Sequence, residues 1–184
     1  MIIYGILLLM IILSSGCVSN SVYDVLENSF YSNIDDGTFY SEKNSVTFSS
    51  GGISFVHPAS WYKLDPNTNV GPNTENLGDF VIKNATVVVD KYTIYDVESV
   101  EKFKNLTKND LKKSGSRIIY DKKAVINSSS IYYLGINNTD HSESVFVITG
   151  QEKIIYMIQF NGNVGEVLSR TKEIEHLIST IKLQ

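Results

Sequence analysis

The stretch Ile154-Ile-Tyr-Met-Ile-Gln-Phe160, followed by Val164, Val167, Leu168, Thr171, Ile174, Leu177, Ile178 and Ile181, decides the fold. The first part is an apolar run of strand length, entered from the turn-like Gly150-Gln-Glu-Lys153. The second places apolar residues at three- and four-residue intervals, so one stripe of a helix has to be buried. Three strand-like runs stand upstream with short connections, at 117–126, 129–136 and 142–149. Connections that short join antiparallel neighbours. Before them, Asp96 can cap a helix running to about Ser114, with Gly115 as its stop. On that helix Val97, Val100, Phe103 and Leu106 share a face, while Lys102, Lys104, Lys108, Lys112 and Lys113 populate the others.

Further upstream, residues 79–95 read as strand around Val87-Val-Val89, with a turn near Lys83-Asn84 or Asp90-Lys91. Residues 65–78 carry Pro66, Gly71, Pro72, Asn73 and Gly78, and read as a long irregular loop. Ser45-Val-Thr-Phe-Ser49 and Ile53-Ser-Phe-Val-His57, divided by Gly51-Gly52, predict a hairpin. Pro58 ends its second strand and sets Trp61 just beyond a bend. The fold class is therefore α+β, an antiparallel sheet covered by helices.

The N-terminus gives an address. Residues 2–13 are almost unbroken apolar sequence, followed by Ser14-Ser15-Gly16 and Cys17, the only cysteine of the chain. A bilayer core of about 30 Å takes roughly 20 apolar residues to cross as a helix, and this run has the shorter length of a signal segment. Small residues before Cys17 suit a signal peptidase, and the lone thiol is accounted for if its sulfur takes a lipid. Ser14 stands where a lipoprotein signal carries an aliphatic residue, and Met1 to Tyr4 holds no Lys or Arg. An uncleaved N-terminal anchor, or a start codon placed elsewhere, is the other reading. Residues 18–44 are polar and acidic, with Val22, Tyr23, Val25, Leu26 and Phe30 able to form one short helix. The expected organisation is a signal peptide at 1–16, a lipid-attached polar tether at 17–44 and a folded domain at 45–184.

An apolar fraction of 42% and an aromatic fraction of 11% support a core. The net charge of −4 argues against nucleic acid as a partner and against a polybasic grip on anionic lipid. Sequons occur at Asn84, Asn105, Asn127 and Asn137, candidate N-glycosylation sites in an exported chain. A chain rich in Asn and Ser also produces such triplets by chance, and Asn105 falls within the expected helix.

Chemistry is sparse. His57, His141 and His176 share no metal-ligand spacing, and no metal or cofactor is expected. No nucleophile elbow, phosphate loop or calcium loop occurs. Asp35-Asp36 lies in the tether, and Asp140 near Glu143 lacks a calcium pattern. The best ligand surface is Trp61 and Tyr62 with His57 beside them, next to the loop at 65–78, because an accessible aromatic ring can stack on a sugar or peptide. The competing place for Trp61 is the core beneath the terminal helix.

Three places resemble the PsbP-like domain family. They are Gly52-Ile-Ser-Phe-Val-His-Pro58 with Trp61, the middle helix ahead of a run of antiparallel strands, and the ending from the strand through Phe160 to Ile178-Ser-Thr-Ile-Lys182. The resemblance covers roughly 45–184 and implies a PsbP-like αβα sandwich. It further implies a non-enzymatic binding or assembly module. Of its members, the prokaryotic surface lipoproteins fit the Cys17 signal. The expectation is an extracytoplasmic membrane lipoprotein that binds a protein or glycan of the cell envelope. Two alternatives stand beside it: a surface solute- or glycan-binding component, and an enzyme with a dispersed site such as His57, Asp79 and His141.

Overall fold

The computed structural model describes residues 38–65, 70–95 and 99–184. Its centre is an antiparallel sheet of seven strands in the order β3-β4-β5-β9-β8-β7-β6. The strands are β3 (Tyr62–Leu64), β4 (Thr74–Ile82), β5 (Ala85–Thr93), β6 (Arg117–Ile126), β7 (Ser129–Asn137), β8 (Ser142–Gln151) and β9 (Ile154–Asn163). A second sheet of three strands has the order β1-β2-β10, built from β1 (Ser45–Ser50), β2 (Ile53–Pro58) and β10 (Lys182–Leu183). Helices α1 (Val100–Lys113) and α2 (Thr171–Ser179) complete the described elements, with a 3-10 turn at Leu168–Arg170 before α2.

Side chains alternate across the large sheet, so each strand feeds two cores. Val87, Val89, Tyr133, Val145, Val147, Ile158 and Phe160 face one way, where β1, β2 and α2 cover them with Phe48, Phe55, Ile174, Leu177 and Ile178. Leu134, Ile136, Phe146, Ile148, Ile155 and Met157 face the other way, where α1 covers them with Phe103 and Leu111. The α+β class and the helix-covered antiparallel sheet are as the sequence predicts. The small sheet, which shares one covering layer with α2, is an addition.

Several local readings change. The expected hairpin forms, with Phe48 opposite Phe55, across Gly51 (φ 57°) and Gly52 (φ 97°). Both turn residues are in the left-handed region that glycine enters without strain. The expected loop at 65–78 is too long, because β4 already starts at Thr74. A bulge between Asn76 and Gly78 breaks the alternation there, which hides the strand from its pattern. Gly78 serves close packing instead: a Cβ would sit 3.1 Å from the Phe48 ring.

Helix α1 is capped by Ser99, whose side chain accepts from the Lys102 amide at 3.1 Å; Asp96 and Val97 lie outside the described residues. Its buried face is Phe103, Lys104, Thr107 and Leu111, and Leu106 is 44% exposed. Lys104 enters that face because its Nζ reaches Asp121 of β6 at 3.3 Å. At the C-terminus the helix is shorter than its apolar spacing implies. It ends at Ser179, and the chain turns into β10, which pairs with Ile53 and Ser54 of β2. The packed body also reaches below residue 45: Phe39 is buried in the core and its amide donates to Glu173 Oε2 at 2.7 Å.

Glu143 has a structural task on this frame. Its buried Oε2 accepts from the amides of Val167 (3.3 Å) and Leu168 (2.9 Å), fixing the start of the 3-10 turn and so the approach of α2. Glu143→Ala is expected to lower stability by about 2 kcal/mol, since the two amides lose their acceptor, while Glu143→Gln keeps most of it. Denaturant midpoints of the two variants check this.

Candidate functional site

The segment from β2 to β3 places the proposed ligand residues. After Pro58 the chain bends, with the Trp61 amide donating to Pro58 O at 3.2 Å, and Trp61 turns inward. Its ring stacks on His57 at 4.7 Å and meets Phe80 edge-on at 5.4 Å, with Phe160 at 6.3 Å. The indole Nε1 donates to Thr38 O at 3.1 Å. Trp61 is 5% exposed, and His57 is buried with it. Burial pushes the His57 pKa below its ordinary value, against the opposing hydrogen bond to Pro58 O at 2.8 Å. A neutral imidazole in an aromatic stack is packing. Neither ring offers a face on which a sugar could lie, and Tyr62, 45% exposed, is the outward member of the three.

Across the sheet, on the face opposite that stack, Asn76 joins two carboxylates. Its Nδ2 donates to Asp79 Oδ1 at 2.8 Å and to Asp90 Oδ1 at 3.0 Å, and the Tyr92 hydroxyl donates to Asp90 Oδ2 at 3.2 Å. Burial first, and the Asp79 charge after it, push the Asp90 carboxyl up to about 6, with the Asn76 and Tyr92 hydrogen bonds pulling the other way. The Asn76 Oδ1 is buried without a partner, a consequence of aiming the amide at both acids. The dispersed triad of the sequence reading does not converge. His57 packs with the first core, Asp79 belongs to this opposite face, and His141 is exposed in the β7–β8 turn at φ 65°. Among the described residues no group of three or more His, Cys, Asp or Glu side chains is placed to hold a metal ion.

A cleft of about 310 Å³ opens where the β6–β7 turn, the end of β8 and β10 meet. Ile126, Ile131, Ile181 and Leu183 make its apolar part, and Asn127, Ser129, Gln151 and Lys182 its polar part. Sequence reasoning missed it because it depends on β10, a strand of two residues. Its lining is therefore half apolar and half polar.

The sequons occupy different settings. Asn105 is exposed on α1, and Asn127 is exposed in the β6–β7 turn at φ 50°. Asn84 is half-buried, its Nδ2 donating to Glu166 Oε1 at 3.3 Å, and Asn137 is half-buried at the end of β7. Cys17, the signal segment and most of the tether lie outside the described residues.

No family model matches the sequence, and no curated protein matches it. The structure is similar to the solution structure of cyanobacterial PsbP (CyanoP) from Synechocystis sp. PCC 6803, at a TM-score of 0.60 and 10% identity, covering 78% of this chain and 95% of that one. A Bacteroides thetaiotaomicron protein aligns at a TM-score of 0.49 and 17% identity, over 77% of this chain and 49% of that one. A protein of unknown function from Pseudomonas aeruginosa aligns at 0.49 and 9% identity, over 77% and 98%. With element order, strand pairing and the first of these similarities in agreement, the chain has a PsbP-like fold.

Proposed function

We propose that this chain is an extracytoplasmic lipoprotein, held to a membrane by lipid on Cys17, whose PsbP-like domain works by binding or scaffolding and carries out no catalysis. The observation that supports the non-catalytic reading is how the ionisable side chains are employed. Glu143 holds two amides, Asp121 pairs with Lys104 and Lys108, Glu175 pairs with Lys122, and His57 is stacked in the core. These particular groups are employed in contacts within the fold. The apolar start and Cys17 supply the address. The partner is a protein or glycan of the cell envelope. Nucleic acid is disfavoured by the net charge of −4. The cleft beside β10 favours a second reading, a surface solute- or glycan-binding component.

Cells grown with a labelled fatty acid test the anchor. The chain is expected to take up label through Cys17 and to lose all of it in Cys17→Ala. An unlabelled wild-type chain, or label that survives the substitution, would defeat the proposal.

A further inference from the structure

The whole-chain charge of −4 conceals a strong segregation. Residues 99–126, which make α1 and the edge strand β6, hold eight Lys and Arg against three Asp and Glu, a net of +5. The remainder of the chain carries −9, of which −6 belongs to residues outside the described ones, so the rest of the described residues carry −3. The fold then gathers much of this charge on one side. Lys104 and Lys108 both reach Asp121 across the junction of α1 and β6, and Lys104 and Lys123 lie over the same Tyr132 ring, at 5.5 and 5.2 Å. Lys102, Leu106 and Lys113, spaced four and then seven residues apart, share the outward stripe of α1, with Lys112 beside them. On β6, Lys123 and Val125 point to the same side of the sheet as the helix.

Apolar groups stand exposed within this basic surface. Leu106 is 44% exposed between Lys102 and Lys113, and Val125 is 68% exposed beside Lys123. A helix lying flat on a sheet, with lysines around an outward leucine, has the chemistry of an element in the plane of a membrane interface. Its cations suit phosphate headgroups, and its exposed aliphatic groups suit the acyl boundary. A purely acidic polypeptide would leave Leu106 and Val125 unused.

We propose that the face formed by α1 and β6 docks on anionic lipid headgroups, laying the domain against the membrane. The proposal rests on the membrane location given under the proposed function. The chain as a whole is acidic at −4, but residues 99–126 carry the +5 that a grip on anionic lipid uses.

The test uses the full chain reconstituted into vesicles of phosphatidylcholine alone or of phosphatidylcholine with phosphatidylglycerol. Acetylation of each lysine by a small amine-reactive reagent is followed by mass spectrometry. On the anionic vesicles at low salt, Lys112, Lys113 and Lys123 are expected to react about fivefold more slowly than on neutral ones. Molar salt should restore their rates. Lys63 and Lys172 lie on elements at the opposite side of the sheet and should react equally on both vesicle types. Equal rates at Lys112, Lys113 and Lys123 on both vesicle types would overturn the proposal. Protection by dissolved polyglutamate but not by anionic vesicles would also overturn it, and would identify an acidic polypeptide as the partner. Cys17→Ala should show the same protection as the wild-type chain, so a failed acylation result and a failed docking result are read separately.

Discussion

Trp61→Ala is expected to destabilise the protein by about 3–5 kcal/mol, the range for truncating a large buried aromatic. The indole is 5% exposed and touches rings from β2, β4 and β9: Phe55 and His57, Phe80, and Phe160. Removing it opens a cavity where the two sheets meet and removes the hydrogen bond from the indole to the Thr38 carbonyl. Trp61→Phe keeps an aromatic body and forfeits the Nε1 hydrogen bond, so its loss should be about half as large. Urea unfolding of the full chain gives the comparison. If Trp61 were an open platform for a ligand, the alanine variant would stay within about 0.5 kcal/mol of wild type, as exposed positions do.

Asp90→Asn is expected to stabilise the protein above pH 6 and to do so less and less as the pH falls. In the folded chain the Asp90 carboxyl is pushed up to about 6 from an ordinary 3.8. The folded state therefore binds more protons than the unfolded one between these values, and wild type gains stability on acidification through that window. Above pH 6 the carboxylate is charged in both states, and holding it charged in the fold costs about 3 kcal/mol net of its hydrogen bonds, from roughly two pKa units at 1.36 kcal/mol each. An asparagine removes that charge, and its oxygen can still accept from Asn76. His57 works in the opposite direction. Its lowered pKa makes the folded state bind fewer protons than the unfolded one, so stability is lost as pH falls below the ordinary histidine value. That term is common to wild type and variant, and the difference between their unfolding free energies at pH 5 and pH 8 isolates Asp90. A difference that does not change with pH would refute the burial account.

The sequence exposed the fold where its patterns are local. Gly51-Gly52 between two alternating runs was enough for the first hairpin, and Gly115, at φ 90°, ends α1 as its position implies. Strands β6 to β9 follow from apolar runs with short turns between them. The failures occur where tertiary contacts outweigh local pattern. The bulge at Asn76 and Gly78 disguised β4 as loop. Asp121 drew Lys104 into the buried side of α1 and left Leu106 outside, which reversed the apolar-face argument. The two residues of β10 have no pattern of their own and exist because β2 offers an edge.

The candidate sites were less legible for the same reason. Trp61 and His57 are sequence neighbours that either a platform or a core could use, and only the approach of Phe80 and Phe160 from distant strands buries them. The Asp79–Asn76–Asp90 cluster requires the β4–β5 register, and the cleft requires β10. The charge segregation was present in the composition of 99–126, but averaging over the chain cancelled it.

Membrane attachment through a lipidated sulfur is the claim on which the remaining functional argument leans. Intact-mass and peptide mass spectrometry of the chain from fractionated cells tests it most directly. The account predicts a membrane-fraction protein whose first residue is Cys17, heavier by a diacylglycerol group. A soluble cytoplasmic chain that still begins at Met1, with an unmodified Cys17 thiol, would contradict it.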